Sequence, residues 1–179
     1  MGLRHARCSS TGSLSNATGY FVLARLVRDH AVGRGAPASV IMLGSMYGMV
    51  GSYPDAYEGL CPASPVAYHV LKGGILQMTR HLAVYWAADG VRVNSLSPGP
   101  FPSDRAPPAW PSGSKMLPLG RMGRPHESKG AVVFLASDAS RFTTGQNLVI
   151  DGGGRHGKHS AGPRHRPDPV PVEDREHEK

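Results

Sequence analysis

The chain has little cysteine to build with: two residues, Cys8 and Cys61, in 179. That excludes a disulfide framework and any CxxC metal site, and it suits a reducing, cytoplasmic compartment. Long apolar runs are missing too. No stretch approaches the roughly 18 uninterrupted apolar residues of a membrane span. The opening Met1-Gly2-Leu3-Arg4-His5-Ala6 leads into Cys8-Ser9-Ser10 rather than an apolar signal core. Gly2 opens no myristoylation motif, because Ala6 stands where Ser or Thr is required. Export and membrane insertion are therefore not expected. The formal net charge is +7, yet no run of five basic residues carries it. Residues 1–154 hold 14 Lys and Arg against 8 Asp and Glu, and residues 155–179 hold 6 against 5. An excess spread so evenly, without a zinc-finger, homeodomain or RNA-binding aromatic signature, argues for diffuse surface charge rather than a nucleic-acid interface.

What the chain has in quantity is Gly and Pro, 23 and 16 residues, a share that marks a loop-rich protein. Its length suits one domain with a buried core. From Arg155 onward the sequence carries four prolines, four histidines and almost nothing apolar, so 155–179 is expected to be a disordered tail. His156, His159 and His165 within it offer at most adventitious metal binding. Residues 1–15 are small and polar and are expected to be loosely held, leaving 16–154 as the ordered domain.

Between these ends helical and strand patterns alternate. Tyr20 to His30 places Phe21, Leu23, Ala24, Leu26 and Val27 on a broad helical face that Gly33 and Gly35 end. Ser39-Val40-Ile41-Met42-Leu43 is a short apolar run, the mark of a strand covered on both faces. Ser64-Pro65 reads as N-cap and first-turn proline of a second helix. Its apolar positions Leu71, Ile75, Met78, Leu82 and Tyr85 recur until Asp89-Gly90 stops it. Val91 to Leu96 is a second strand, Ser128 to Ser137 a third helix and Asn147 to Ile150 a third strand. Seven prolines between Pro98 and Pro118 mark a long irregular loop of the kind that covers a site. The alternation predicts an α/β fold with a parallel sheet covered on both faces.

Tyr68 and Lys72 stand at i and i+4, so a phenol and an ammonium share one helix face. A free phenol with pKa ~10 is about one part in a thousand ionised at pH 7. Making it a useful base means lowering that by about 2–3 units, about 3–4 kcal/mol. A neighbouring ammonium shifts it in that direction. By itself Tyr-x-x-x-Lys is common on helix surfaces; its neighbours give it weight. Ser45 follows the first strand at its carboxyl end, where open α/β sheets bind ligands. Asn94-Ser95-Leu96-Ser97-Pro98-Gly99 leaves the second strand through a turn that lets backbone approach a planar ring. Asp151-Gly152-Gly153 follows the third.

This set, in this order from about Asn16 to Gly153, resembles the short-chain dehydrogenase/reductase family. The resemblance implies the second half of a Rossmann-like, doubly wound sheet. It implies an oxidoreductase that moves hydride between NAD or NADP and a secondary alcohol or ketone. In that likeness Tyr68 is the general acid/base, Ser45 bonds the same substrate oxygen, and Lys72 holds the nicotinamide ribose and tunes Tyr68. Asn16 matches the asparagine whose backbone anchors a proton-relay water, and Pro98 and Gly99 line the nicotinamide. The interval of 23 residues from Ser45 to Tyr68 is about twice the family's usual one. The extra loop, Val50 to Pro65, carries Tyr53, Asp55, Tyr57 and Glu58 and resembles members that act on sugars, sugar acids or polyols. Those groups serve equally well as hydroxyl ligands or as a solvated loop.

The family's opening strand and its Thr-Gly-x-x-x-Gly-x-Gly turn, which receives the pyrophosphate at a helix amino end, have no counterpart in the sequence. The choice between NAD and NADP is unreadable for the same reason. The chain thus reads as a truncated member, with an apolar edge on its first strand that favours self-association. The two helices beginning near Asn16 and Ser64, buried in the family's usual dimer, favour a homo-oligomer as well. The competing reading is a non-catalytic remnant that self-associates through those helices.

Overall fold

The computed structural model describes residues 10–53, 57, 63–101 and 117–157. The expectations for residues 1–9, for Asp55 and Glu58, for most of the proline-rich loop and for the tail beyond residue 157 lie outside the described residues. Six main elements follow one another: α1 Ser10–Gly33, β1 Ala38–Leu43, α2 Val66–Tyr85, β2 Val91–Pro98, α3 Lys129–Ala136 and β3 Asn147–Ile150. The strands form one parallel sheet in the order β1-β2-β3. Pairing runs from Ala38 opposite Val91 to Leu43 opposite Leu96, and from Ser95 opposite Asn147 to Pro98 opposite Ile150. Parallel neighbours need a crossover, and α2 and α3 supply the two.

The pleat sorts the side chains. Val40, Met42, Val91 and Val93 point to one face, where they pack with Ala24 and Ala31 of α1 and with Ile75, Leu82, Ala83 and Trp86 from α2 and its end. The opposite face meets α3. There Ser39 donates to the Leu135 carbonyl at 2.8 Å, and Arg92 donates to the carbonyls of Leu135, Ser137 and Thr143 and to the Ser140 hydroxyl. A cation at a helix carboxyl end adds donors to these carbonyls and complements the dipole. The parallel sheet with helices on both faces agrees with the sequence pattern.

Several boundaries move. α1 starts at Ser10 instead of Tyr20, so the expected loose segment 1–15 loses its last six positions to the helix. Once a helix is nucleated, each added residue gains a hydrogen bond, which carries it back through poor helix formers such as Thr11 and Gly12. The ordered region also extends past Gly154. Arg155 donates its backbone N–H to Asp151 and His156 donates its own to the Gly153 carbonyl, so the first residues assigned to the tail are tied to the domain. Pro65, not Ser64, occupies the N-cap of α2, with extended ψ of 150° and its carbonyl accepting from the Tyr68 N–H. Tyr85 does not join the core; it is 69% exposed and stacks on His81, while Trp86 takes the buried place. The apolar face of α1 is likewise mostly outside. Phe21, Leu23, Leu26 and Val27 are exposed, and Ala24 and Ala31 make the close contact with the core. Small residues let a helix approach the sheet so closely that larger neighbours are left on its flanks. β1 is covered unevenly, with Met42 buried and Leu43 exposed.

Candidate active site

The site forms where β1 ends. Ser45 is extended, with φ −166° and ψ 154°, and caps the 3-10 turn Met46–Gly48 by accepting the Tyr47 N–H on its Oγ. The residue is buried, and the capping bond uses an Oγ lone pair, so its O–H remains a donor. This turn lies directly on α2, because Gly48 sits against the Lys72–Gly73 backbone. Tyr47 stacks on His69, with ring centroids 4.9 Å apart. Ser45 therefore leads a turn fastened to the helical turn that carries Tyr68 and Lys72.

Lys72 is buried, at 8% exposure, and its Nζ donates to the Leu43 carbonyl at 2.7 Å. The ammonium is 5.7 Å from the centre of the Tyr68 ring. Burial lowers the pKa of Lys72 from its ordinary value, since a buried ammonium loses hydration. Tyr68 is 36% exposed, its ring set edge-on to His69, so the phenol is reachable from solvent beside a buried cation. Of the expected site residues, Tyr68 and Lys72 thus share one helical turn, and Ser45 leads the turn that packs on it.

Pro98 and Gly99 share the carboxyl edge of the sheet with Ser45, because Leu43 pairs with Leu96 and Gly44 donates to the Leu96 carbonyl. At Gly99 the chain approaches itself closely. A Cβ there would lie 2.6 Å from the Asp151 Cα, and the Gly99 N–H donates to the Ile150 carbonyl. Asn16 is exposed on α1, one turn before Tyr20. Both line a groove of about 500 Å3 between α1 and β1.

Sequence reasoning gave no role to Tyr20 or to Tyr47 near this site. Tyr20 reaches across from α1, donating to the Leu43 carbonyl at 3.0 Å. Tyr47 and Tyr57 join hydroxyls at 2.5 Å, and Tyr53 donates to the Gly154 carbonyl. Burial first, then the bond to Tyr57, raises the Tyr47 pKa, so that hydroxyl stays protonated. The i, i+4 spacing of Asn16 and Tyr20 was the available signal for the first. For the second there was the excess of tyrosine in the Val50–Pro65 loop. Among the described residues no group of three or more His, Cys, Asp or Glu is placed to hold a metal, and no helix is long and apolar enough to cross a membrane.

The model of a family described as enoyl-(acyl carrier protein) reductase matches residues 13–155. Over 144 residues the chain is 37% identical to a galactitol 2-dehydrogenase (L-tagatose-forming) of Cereibacter sphaeroides, covering 77% of this chain and 53% of that protein. It is 40% identical over 122 residues to an NADP-dependent mannitol dehydrogenase of Hypocrea jecorina, covering 64% and 41%. Among solved structures, a short-chain dehydrogenase from Leptospira borgpetersenii with bound NAD+ matches with a TM-score of 0.71 at 35% identity, over 77% of this chain and 52% of that one. The chain spans about half the length of the curated relatives it matches.

Proposed function

The chain belongs to the short-chain dehydrogenase/reductase family, and from that premise we propose that it is an oxidoreductase moving hydride between NAD or NADP and a secondary alcohol or ketone, the substrate being a sugar, sugar acid or polyol. The observation that carries the reading is the Tyr68 phenol standing beside the buried Lys72 ammonium, on the helical turn to which the Ser45 turn is fastened. In this reading Tyr68 exchanges a proton with the substrate oxygen and Ser45 donates its O–H to that same oxygen. Lys72 places a positive charge beside the phenol and keeps an N–H for a ribose hydroxyl. Asn16 stands where the family anchors a relay water. The substrate class rests on relatives named for galactitol and mannitol, and on the hydroxyl-bearing wall of Tyr47, Tyr53 and Tyr57.

The donor set suits the nicotinamide end of a dinucleotide. Lys72 spends one of its three N–H groups on Leu43, and Pro98 and Gly99 flank the same sheet edge. When bound, the nicotinamide would supply or accept the hydride; position, proton and electrostatics belong to the chain's own residues. No Gly-x-x-x-Gly-x-Gly turn for the pyrophosphate occurs in the sequence. We take residues 16–154 as the catalytic unit, place it in the cytoplasm in keeping with its two cysteines, and expect it to work as a homo-oligomer.

The test is a panel of hexitols, pentitols and aldonic acids with NAD+ or NADP+, followed by the absorbance of reduced nicotinamide. Turnover is expected, and Tyr68→Phe should lower kcat about 100-fold or more, the usual worth of a placed acid/base. Failure of the folded chain to bind either dinucleotide by calorimetry would overturn the reading.

A further inference from the structure

Tyr20 stands beside the reactive pair, and no motif assigns it a role. Its hydroxyl donates to the Leu43 carbonyl at 3.0 Å, and Lys72 Nζ donates to that same oxygen at 2.7 Å. A carbonyl oxygen has two lone pairs and takes both. Lys72 Nζ lies 3.5 Å from Tyr20 Oη, which closes a triangle of ammonium, phenol and carbonyl. Its distance to the Tyr20 ring centre, 5.6 Å, almost equals its distance to the Tyr68 ring centre, 5.7 Å. The cation therefore lies between two aromatic rings, one from α1 and one from α2.

A lysine ammonium is a point charge on a flexible four-carbon stem, and its effect on a phenol falls with distance. Something must hold it in place. We propose that Tyr20 is a positioning residue for the Tyr68–Lys72 pair: its hydroxyl, with the Leu43 carbonyl, seats the Lys72 ammonium between the rings of Tyr20 and Tyr68. Tyr20 is suited to hold rather than compete. Burial, then the nearness of Tyr68, raises its pKa, so it remains a neutral donor to Leu43 and an acceptor toward Lys72. The seat also ties α1 to the end of β1, so the reactive pair on α2 is set by an element 52 residues away. The inference rests on the reading of Tyr68 and Lys72 as the reacting pair, so its test needs a readout independent of turnover.

That readout is competitive acetylation of lysine amines with acetic anhydride, followed peptide by peptide by mass spectrometry, with Lys129 as internal reference. In Tyr20→Phe the ring remains but the hydroxyl is gone. Whether the ammonium then swings out or gives up its proton more readily, Lys72 should be acetylated about fivefold faster, near what one net hydrogen bond contributes. Lys129 should not change. If the wild-type chain turns over, kcat should fall in Tyr20→Phe while the KM for the alcohol stays put, which loss of packing alone would not produce. Unchanged Lys72 labelling in folded Tyr20→Phe overturns the seat, even where Tyr68→Phe abolishes activity and the oxidoreductase reading stands. Faster Lys72 labelling in a chain without turnover supports the seat and counts against that reading only. Should Tyr20→Phe fail to fold, O-acetylation of the wild type with N-acetylimidazole decides. Tyr20 must react several-fold more slowly than the exposed Tyr85, and equal rates overturn the proposal.

Discussion

A Cβ built on Gly48 would lie 2.7 Å from the Lys72 carbonyl oxygen and 2.8 Å from its carbon. Both are backbone atoms within a helix and cannot step aside as a flexible side chain would. The contact is what presses the Ser45 turn onto the helical turn bearing Tyr68 and Lys72, so a single methyl group separates two parts of the proposed site. Gly48→Ala is expected to cost about 1–3 kcal/mol, the usual price of forcing an extra methyl into a packed contact, and to lower kcat more than it raises KM. Urea midpoints and steady-state kinetics measure both effects. Gly51→Ala is the control, because nothing lies within 4 Å of its Cβ position, and it should leave both quantities unchanged. Equal behaviour of the two variants would show that the turn has room to relax.

At the scale of elements, the approach to α3 is held by charge. Arg121 grips Glu127 with two N–H groups, at 2.6 and 2.8 Å, and the Arg124 backbone N–H donates to the same carboxylate at 2.7 Å. The Arg121 bond first, then the Arg124 N–H, holds the Glu127 pKa down to about 2. A carboxylate whose folded pKa is depressed stabilises the fold fully above its unfolded value of about 4.5, and that share disappears as pH falls toward 2. Glu127→Gln should therefore flatten the loss of stability between those pH values and converge with the wild type below about pH 2, as read from urea midpoints across the range. A constant offset would contradict the linkage. How much of these elements was legible follows from the same physics. β2, β3 and the start of α2 were readable within two residues because strand runs and helical spacing are local, whereas α2 ends at Tyr85, ahead of the expected Asp89-Gly90 stop. The burial of α1 was not, since its apolar stripe says nothing about which residues the sheet will meet, and Ala24 and Ala31 met it. Tyr85 matched the helical period yet is the last residue of α2, and it is Trp86, just after it, that turns inward. Of the site, the Tyr68–Lys72 pair was readable as an i, i+4 step. The Tyr20 contact was not, because it joins elements far apart in sequence.

For the whole molecule the open question is what covers the apolar surface that its own packing leaves outside. Val66, Val70 and Val84 of α2 are exposed, as are Leu23 and Leu26 of α1, although the two helices pack on each other. β1 also ends the sheet with no strand beyond it among the described residues. Apolar surface on that scale favours a second copy, and in a two-fold interface every residue contributes twice. Val84 is the best probe, being 77% exposed near the far end of α2 from Tyr68. Each buried valine contributes about 1.5–3 kcal/mol, so Val84→Glu should weaken self-association by about tenfold or more at each of its two occurrences. Sedimentation equilibrium should then show the wild type associated and Val84→Glu shifted toward monomer, with unchanged far-ultraviolet dichroism. If the wild type is monomeric at tens of micromolar and melts with no dependence on concentration, the helices are covered by something other than a copy of this chain, and the homo-oligomer falls with that result.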